Sequence, residues 1–201
     1  PYAAVGFSDF WRRWHITLSS WLRDYLYIPL GGNRHGPVRT WLALMGTMLL
    51  GGLWHGAAWT FVVWGGLHGT YLIVERELRA RYSAWTPGSL ALFGLGLLTY
   101  TLVNLTWVFF RARDFGTAWQ VLRGMTGFNH DAKPILATVF IVCVVTVVSG
   151  LLVAHWTMRQ RTLESMVERA SPALVATVLG LMAFAIVISQ GAGSAFIYFQ
   201  F

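Results

Sequence analysis

Residues 49–69 read LLGGLWHGAAWTFVVWGGLHG, inside a longer stretch, Thr40 to Val74, that contains no Asp, Glu, Lys or Arg. As one helix those 35 residues would reach about 52 Å, well past a hydrocarbon core of about 30 Å. The stretch is therefore too long for one straight span, and too short for two full spans of about 20 residues with a turn between them. Gly51, Gly52 and Gly56 crowd around His55. The expectation is a broken or strongly tilted membrane segment, about residues 40–75, in which interrupted backbone and an imidazole share a protein-lined cavity.

The whole chain has the same character. Of its 201 residues 56% are hydrophobic and 11% charged, with mean hydropathy +0.55; soluble domains carry about 25% charged residues. Further uncharged stretches at about 89–110, 134–157 and 173–190 supply spanning lengths, so the fold class is an all-α, multi-span integral membrane protein. The net charge of +7 is dispersed over loops rather than gathered on one helix face, which argues against nucleic acid and for membrane lipid as the neighbour. Arginines occur in successive loops (Arg76, Arg79 and Arg81; Arg111, Arg113 and Arg123; Arg159, Arg161 and Arg169), so charge alone does not orient the chain. The lone cysteine, Cys143, lies in an apolar run and is expected to be a buried small hydrophobe. The chain opens at Pro1 rather than at a methionine, and the expectation is a C-terminal portion of a longer protein.

Local signals set the remaining elements. Ser8 or Asp9 is the expected cap of an interfacial helix over about 9–28, ending before Pro29. Trp11, Trp14, Leu18, Trp21, Leu22 and Tyr25 form its aromatic stripe, and Arg12, His15, Ser19 and Arg23 share a neighbouring face. IPLGGNRHGPVR reads as a tight loop, ERELRARYSAWTPG after Val74 as a polar connection, and Asp114 as the cap of a short surface helix. Asn104-Leu105-Thr106 matches a glycosylation pattern, but its place inside a span makes the match accidental.

His55 is the strongest chemical candidate. An imidazole withdrawn from water favours the neutral form that a general base needs. The alternative is a histidine bonded to a carbonyl freed by the glycine-rich break, and residue chemistry leaves both open. His68, thirteen residues on, would point about 220° away on a continuous helix, though a break could bring the two together; packing is its expected role. Near His15, the residues Arg12, Ser19, Arg23 and Asp24 would suit the phosphate of an anionic acyl donor; a belt of interfacial arginines and tryptophans is the competing reading. His35, His130 and His155 sit in loops or at span ends and receive no role. HExxH, CxxC, Walker, dinucleotide and GxSxG patterns are missing, so metal hydrolases, P-loop enzymes and serine hydrolases have no motif behind them.

Two stretches, FWRRWHITLSSWLRDYLYIPLGGNR (10–34) and TMLLGGLWHGAAWTFVVWGGLHG (47–69), together resemble the paired signature of the membrane-bound O-acyltransferase (MBOAT) family. More narrowly they resemble its bacterial branch of AlgI-like polysaccharide O-acetyltransferases and DltB-related D-alanyl transferases; the ending FIYFQF resembles that branch too. The resemblance implies that His55 is the catalytic histidine of a tunnel through the membrane and that His15 is the second family histidine, on the donor side. Arg12, Ser19, Arg23, Asp24, Trp54 and Trp59 then become donor or tunnel-lining candidates. It further implies a donor thioester, acetyl-CoA or an acyl-carrier protein, with no bound cofactor and no metal. A periplasmic acetyltransferase partner, an exported polysaccharide such as alginate as acceptor, and the bacterial inner membrane complete the implied setting. D-alanylation of teichoic acid and O-acetylation of peptidoglycan are the alternatives within the family. Outside it stand a channel or transporter, for which a broken helix with an intramembrane histidine is also a signature, and a non-catalytic scaffold.

Overall fold

A computed structural model of the chain describes residues 1–127, 138–159, 163–168 and 170–189. Among the described residues the regular structure is helical throughout: α1 Phe7–Arg13, α2 Ile16–Leu22, a π-helical turn Arg23–Tyr27, α3 Pro37–His55, α4 Trp59–Arg81, α5 Ser89–Arg111, α6 Phe115–Met125, α7 Thr138–Thr157, α8 Leu163–Val167 and α9 Pro172–Ser189. Two compact units result, Pro1–Trp156 and Thr157–Phe201. The second contains the short α8 and the apolar α9. His130 and the FIYFQF ending lie outside the described residues.

The stretch 40–75 does not run as one interrupted span. Glycine lets the chain turn back on itself at Gly56–Ala58, and α3 and α4 form an antiparallel hairpin. The direction follows from the pairs that meet: Gly52 with Phe61 and Gly65, Gly65 with Met48, Gly69 with Met45, and the Trp41 indole with Glu77 at 2.8 Å. Backbone lies on backbone here. A Cβ on Gly65 would stand 2.3 Å from the Met48 carbonyl oxygen, and one on Gly52 2.3 Å from that of Phe61. Small residues that let helices approach this closely are the usual device where apolar burial cannot drive packing, as in lipid.

Length arithmetic over 40–75 failed because both helices run past the uncharged stretch, α3 from Pro37 and α4 through Arg81. The charged turn of α4 is helix, not connection. Its side chains have partners that keep them there: Glu75 pairs with Arg79 at 2.8 Å, Arg76 donates to the Asn33 side chain at 2.9 Å, and Glu77 takes the Trp41 N–H.

The expected helix over 9–28 is also divided. Its first part, α1, starts earlier, and neither Ser8 nor Asp9 caps it. The Glu75 carboxylate, on α4, accepts from the backbone N–H groups of Phe7 and Ser8, while Asp9 accepts from Val5 N at 3.0 Å. A break follows at His15, which adopts the left-handed conformation (φ 42°, ψ 55°). The break separates the aromatic stripe: Phe7, Phe10 and Trp11 go into the core with Met48, Trp64, Leu72 and Val103, whereas Trp21 and Tyr25 stack on each other in the open at 5.5 Å. So α1 is a core helix and only α2 keeps an interfacial aspect.

Helix α5 is ordered inside out relative to a soluble protein. Gly96, Thr99, Val103 and Thr106 face inward at helical spacing, while Leu90, Phe93, Leu97 and Leu98 are exposed. Ser89–Arg111 and Phe140–Thr157 are each long and apolar enough to cross a membrane. Cys143 belongs to the second of these and is exposed, not buried, because that helix carries apolar side chains all round. Elsewhere the local signals hold: α5 begins straight after Thr86-Pro87-Gly88, and Asp114 caps α6 by accepting from Thr117 N at 2.7 Å. The Asn104 side chain donates to the Tyr100 carbonyl at 2.8 Å within α5.

Candidate active site

His55 is the last residue of α3, and Gly56 ends the helix. Its ring is half-buried in an aromatic wall, edge-on to Trp54 and Phe110 (both 4.9 Å between centroids) and to Trp64 (5.5 Å), with Phe61 at 6.3 Å. Gly56 is required there, since a Cβ would meet the Phe61 ring at 2.6 Å. Among the described residues neither ring nitrogen of His55 has a hydrogen-bond partner. Both can therefore address a substrate.

His15 stands exposed at the head of α2, where its Nδ1 accepts from Leu18 N at 3.4 Å.

A cavity of about 320 Å³ opens beside α2, lined among others by Trp11, Arg12, Ser19, Arg23, Tyr27 and Met48. Three of the four polar donor candidates therefore share one cleft. Asp24 does not line it, but binds Arg23 Nε at 2.7 Å, and that guanidinium holds the exposed carboxyl below the usual carboxylate range. Ser19 has a second duty, since its hydroxyl donates to the Trp14 carbonyl at 2.9 Å and ties down the break beside His15. Trp54 and Trp59 lie apart from the cleft, at the tip of the hairpin, 64% and 74% exposed.

Trp64 was not foreseen. It is buried, with ring centroids 5.5 Å from His55 and 4.8 Å from His68. Only the hairpin makes it a neighbour of His55, because the turn at Gly56–Ala58 folds residue 64 back beside α3. Phe110, at the end of α5, had no sequence signal at all. His68 is fully buried, with Thr106 Oγ1 3.1 Å from its Nε2.

Fold and site define a helical membrane protein with a half-buried imidazole at a helix break and, in the same unit, an arginine-lined cleft. Residues 2–93 match the MBOAT, membrane-bound O-acyltransferase family. Among its relatives, the "Probable alginate O-acetylase AlgI" of Azotobacter vinelandii is 49% identical over 129 residues, 64% of this chain and 25% of the relative. The "Peptidoglycan O-acetyltransferase" of Helicobacter pylori is 48% identical over 132 residues, 64% of this chain and 24% of the relative. The "Teichoic acid D-alanyltransferase" of Streptococcus thermophilus is 32% identical over 84 residues, 37% of this chain and 20% of the relative. The chain thus spans about a quarter of the length of the first two.

Proposed function

We propose that this chain carries the histidine-bearing part of a membrane-bound O-acyltransferase that moves an acetyl group from a thioester donor to hydroxyls of an exported polysaccharide. The observation that supports this reading is the half-buried ring of His55, open at both nitrogens, in the same compact unit as a cleft lined by Arg12, Ser19 and Arg23. In the proposed reaction an imidazole nitrogen of His55 takes the proton of the acceptor hydroxyl as its oxygen attacks the thioester carbonyl. The carbon–sulfur bond then breaks, and the departing thiolate recovers the proton from the imidazolium. Direct transfer is preferred to an acyl-enzyme because no serine or cysteine adjoins His55 in the sequence. Arg12 and Arg23 suit the phosphates of acetyl-CoA or of an acyl-carrier prosthetic group. The setting proposed is a multi-pass protein of the bacterial inner membrane with a periplasmic acetyltransferase partner.

The test uses the full-length protein in cells that make the polymer. His55→Ala is expected to abolish polymer acetylation while the amount of protein in the membrane is unchanged; retained acetylation refutes the assignment. The peptidoglycan and teichoic acid relatives keep two other acceptors in view. Assaying acetyl on both polymers and D-alanine on teichoic acid in the same strains assigns the acceptor.

A further inference from the structure

Three buried polar atoms in the core have no partner among the described residues: Nε1 of Trp11, Nε1 of Trp64 and Nδ1 of His68. They belong to rings in mutual contact, with centroid separations of 5.2 Å for Trp11 and His68, 4.8 Å for Trp64 and His68, and 5.9 Å for Trp11 and Trp64. All three side chains are more than nine-tenths buried. A buried polar atom left unbonded is costly, so three in one cluster call for an occupant.

The hydrogen-bonding state of the cluster follows from its neighbour. Thr106 Oγ1 lies 2.7 Å from the Val103 carbonyl, which can only accept, so the single hydroxyl proton goes there. Towards His68 the same oxygen must then accept, at 3.1 Å, and Nε2 carries the ring proton. A neutral His68 therefore presents a bare acceptor at Nδ1, beside two indole N–H donors.

From this we infer that Trp11, Trp64 and His68 form a binding site for one hydroxyl oxygen. A hydroxyl can accept from both indoles and donate to Nδ1, which satisfies all three. A carbonyl or an anion leaves Nδ1 unmet, and an ammonium leaves both indoles unmet. Three polar partners are also what holds a buried water in place. Two of its rings border other features, since Trp11 lines the cleft and Trp64 lies edge-on to His55. Its occupant is either a resident water or the hydroxyl of an alcohol, and the assignment stands whether or not His55 is a base.

The test is nuclear magnetic resonance of the protein in lipid nanodiscs, with 15N-labelled tryptophan and histidine. Trp11→Phe, Trp64→Phe and His68→Phe serve only to assign the signals. Polarisation transferred from water is expected to reach the Trp11 and Trp64 indole N–H groups, with Nδ1 of His68 at the shift of an unprotonated, hydrogen-bonded nitrogen. Ethylene glycol is then added as the alcohol probe. Transfer from its methylene protons to both indoles shows a site that admits alcohols, and an unchanged water signal shows a resident water; either supports the site. Indole signals that receive nothing from water or glycol, with Nδ1 at the unbonded position, overturn it.

Discussion

Replacing Gly65 with alanine adds one methyl group where α3 and α4 touch backbone to backbone. That methyl carbon would stand 2.3 Å from the Met48 carbonyl oxygen and 3.0 Å from its carbon, against 3.4 Å or more for ordinary contact. The helices must separate by about 1 Å, and neither obstacle is a flexible side chain that could swing away. Overpacking of this kind costs about 1–3 kcal/mol, and the intrinsic gain of alanine over glycine in a helix, about 1 kcal/mol, only partly offsets it. The neighbouring residue is the control. A Cβ on Gly66 meets only Leu49 Cδ2, at 3.8 Å, so Gly66→Ala keeps the propensity gain without the clash. Thermal unfolding in detergent, followed by circular dichroism, should rank Gly66→Ala at or above the parent protein and Gly65→Ala several degrees below it. Equal melting temperatures for the two variants would refute the close-approach account of the hairpin.

Glu75→Ala unpins the first turn of α1 by removing the acceptor for Phe7 and Ser8; a loss of about 1–2 kcal/mol is expected, read from chemical denaturation, with faster amide exchange at those two residues. His15→Asn retains a residue that tolerates the left-handed conformation, so stability should hold while any chemical role is lost. By contrast His15→Val should cost about 1–2 kcal/mol in the same assay. Asp114 has a carboxyl lowered below its ordinary value of 3.8, first by the Thr117 backbone N–H. A lowered folded-state value means that its support of α6 is complete above the ordinary value and lost as pH falls through the lowered one. Amide exchange at Thr117 should therefore accelerate in acid below that ordinary value, and Asp114→Ala should remove the pH dependence.

Much of the architecture could be read from residue order because membrane helices announce themselves through composition. The break beside His55, the start of α5 and the Asp114 cap rest on local glycine, proline and carboxylate chemistry, and each is found where that chemistry puts it. What escaped was long-range or conformational. The cap of α1 comes from Glu75, and no local pattern announces a partner 68 residues away. The kink at His15 depends on a single left-handed residue, which an aromatic periodicity crosses without a mark. Residues 75–81 looked like a connection because charge was counted without the partners that hold it in a helix. Arg12, Ser19 and Arg23 line one cleft although the helix face expected to carry them is broken at His15, whereas the place of Trp64 depends on the hairpin and that of Phe110 on α5 packed against it.

The Glu75 pin also has a temporal side. Phe7 and Ser8 leave the ribosome long before their acceptor, 68 and 67 residues later, and at about 5–20 residues per second the wait for Glu75 lasts roughly 3–14 s. By then α3 and the first half of α4 have been made and can pair, since their contacts are local and close quickly. The segment carrying Trp11 and His15, made before the hairpin, is thus locked after it. A nascent chain stalled short of Glu75 should carry a formed hairpin beside an undocked α1.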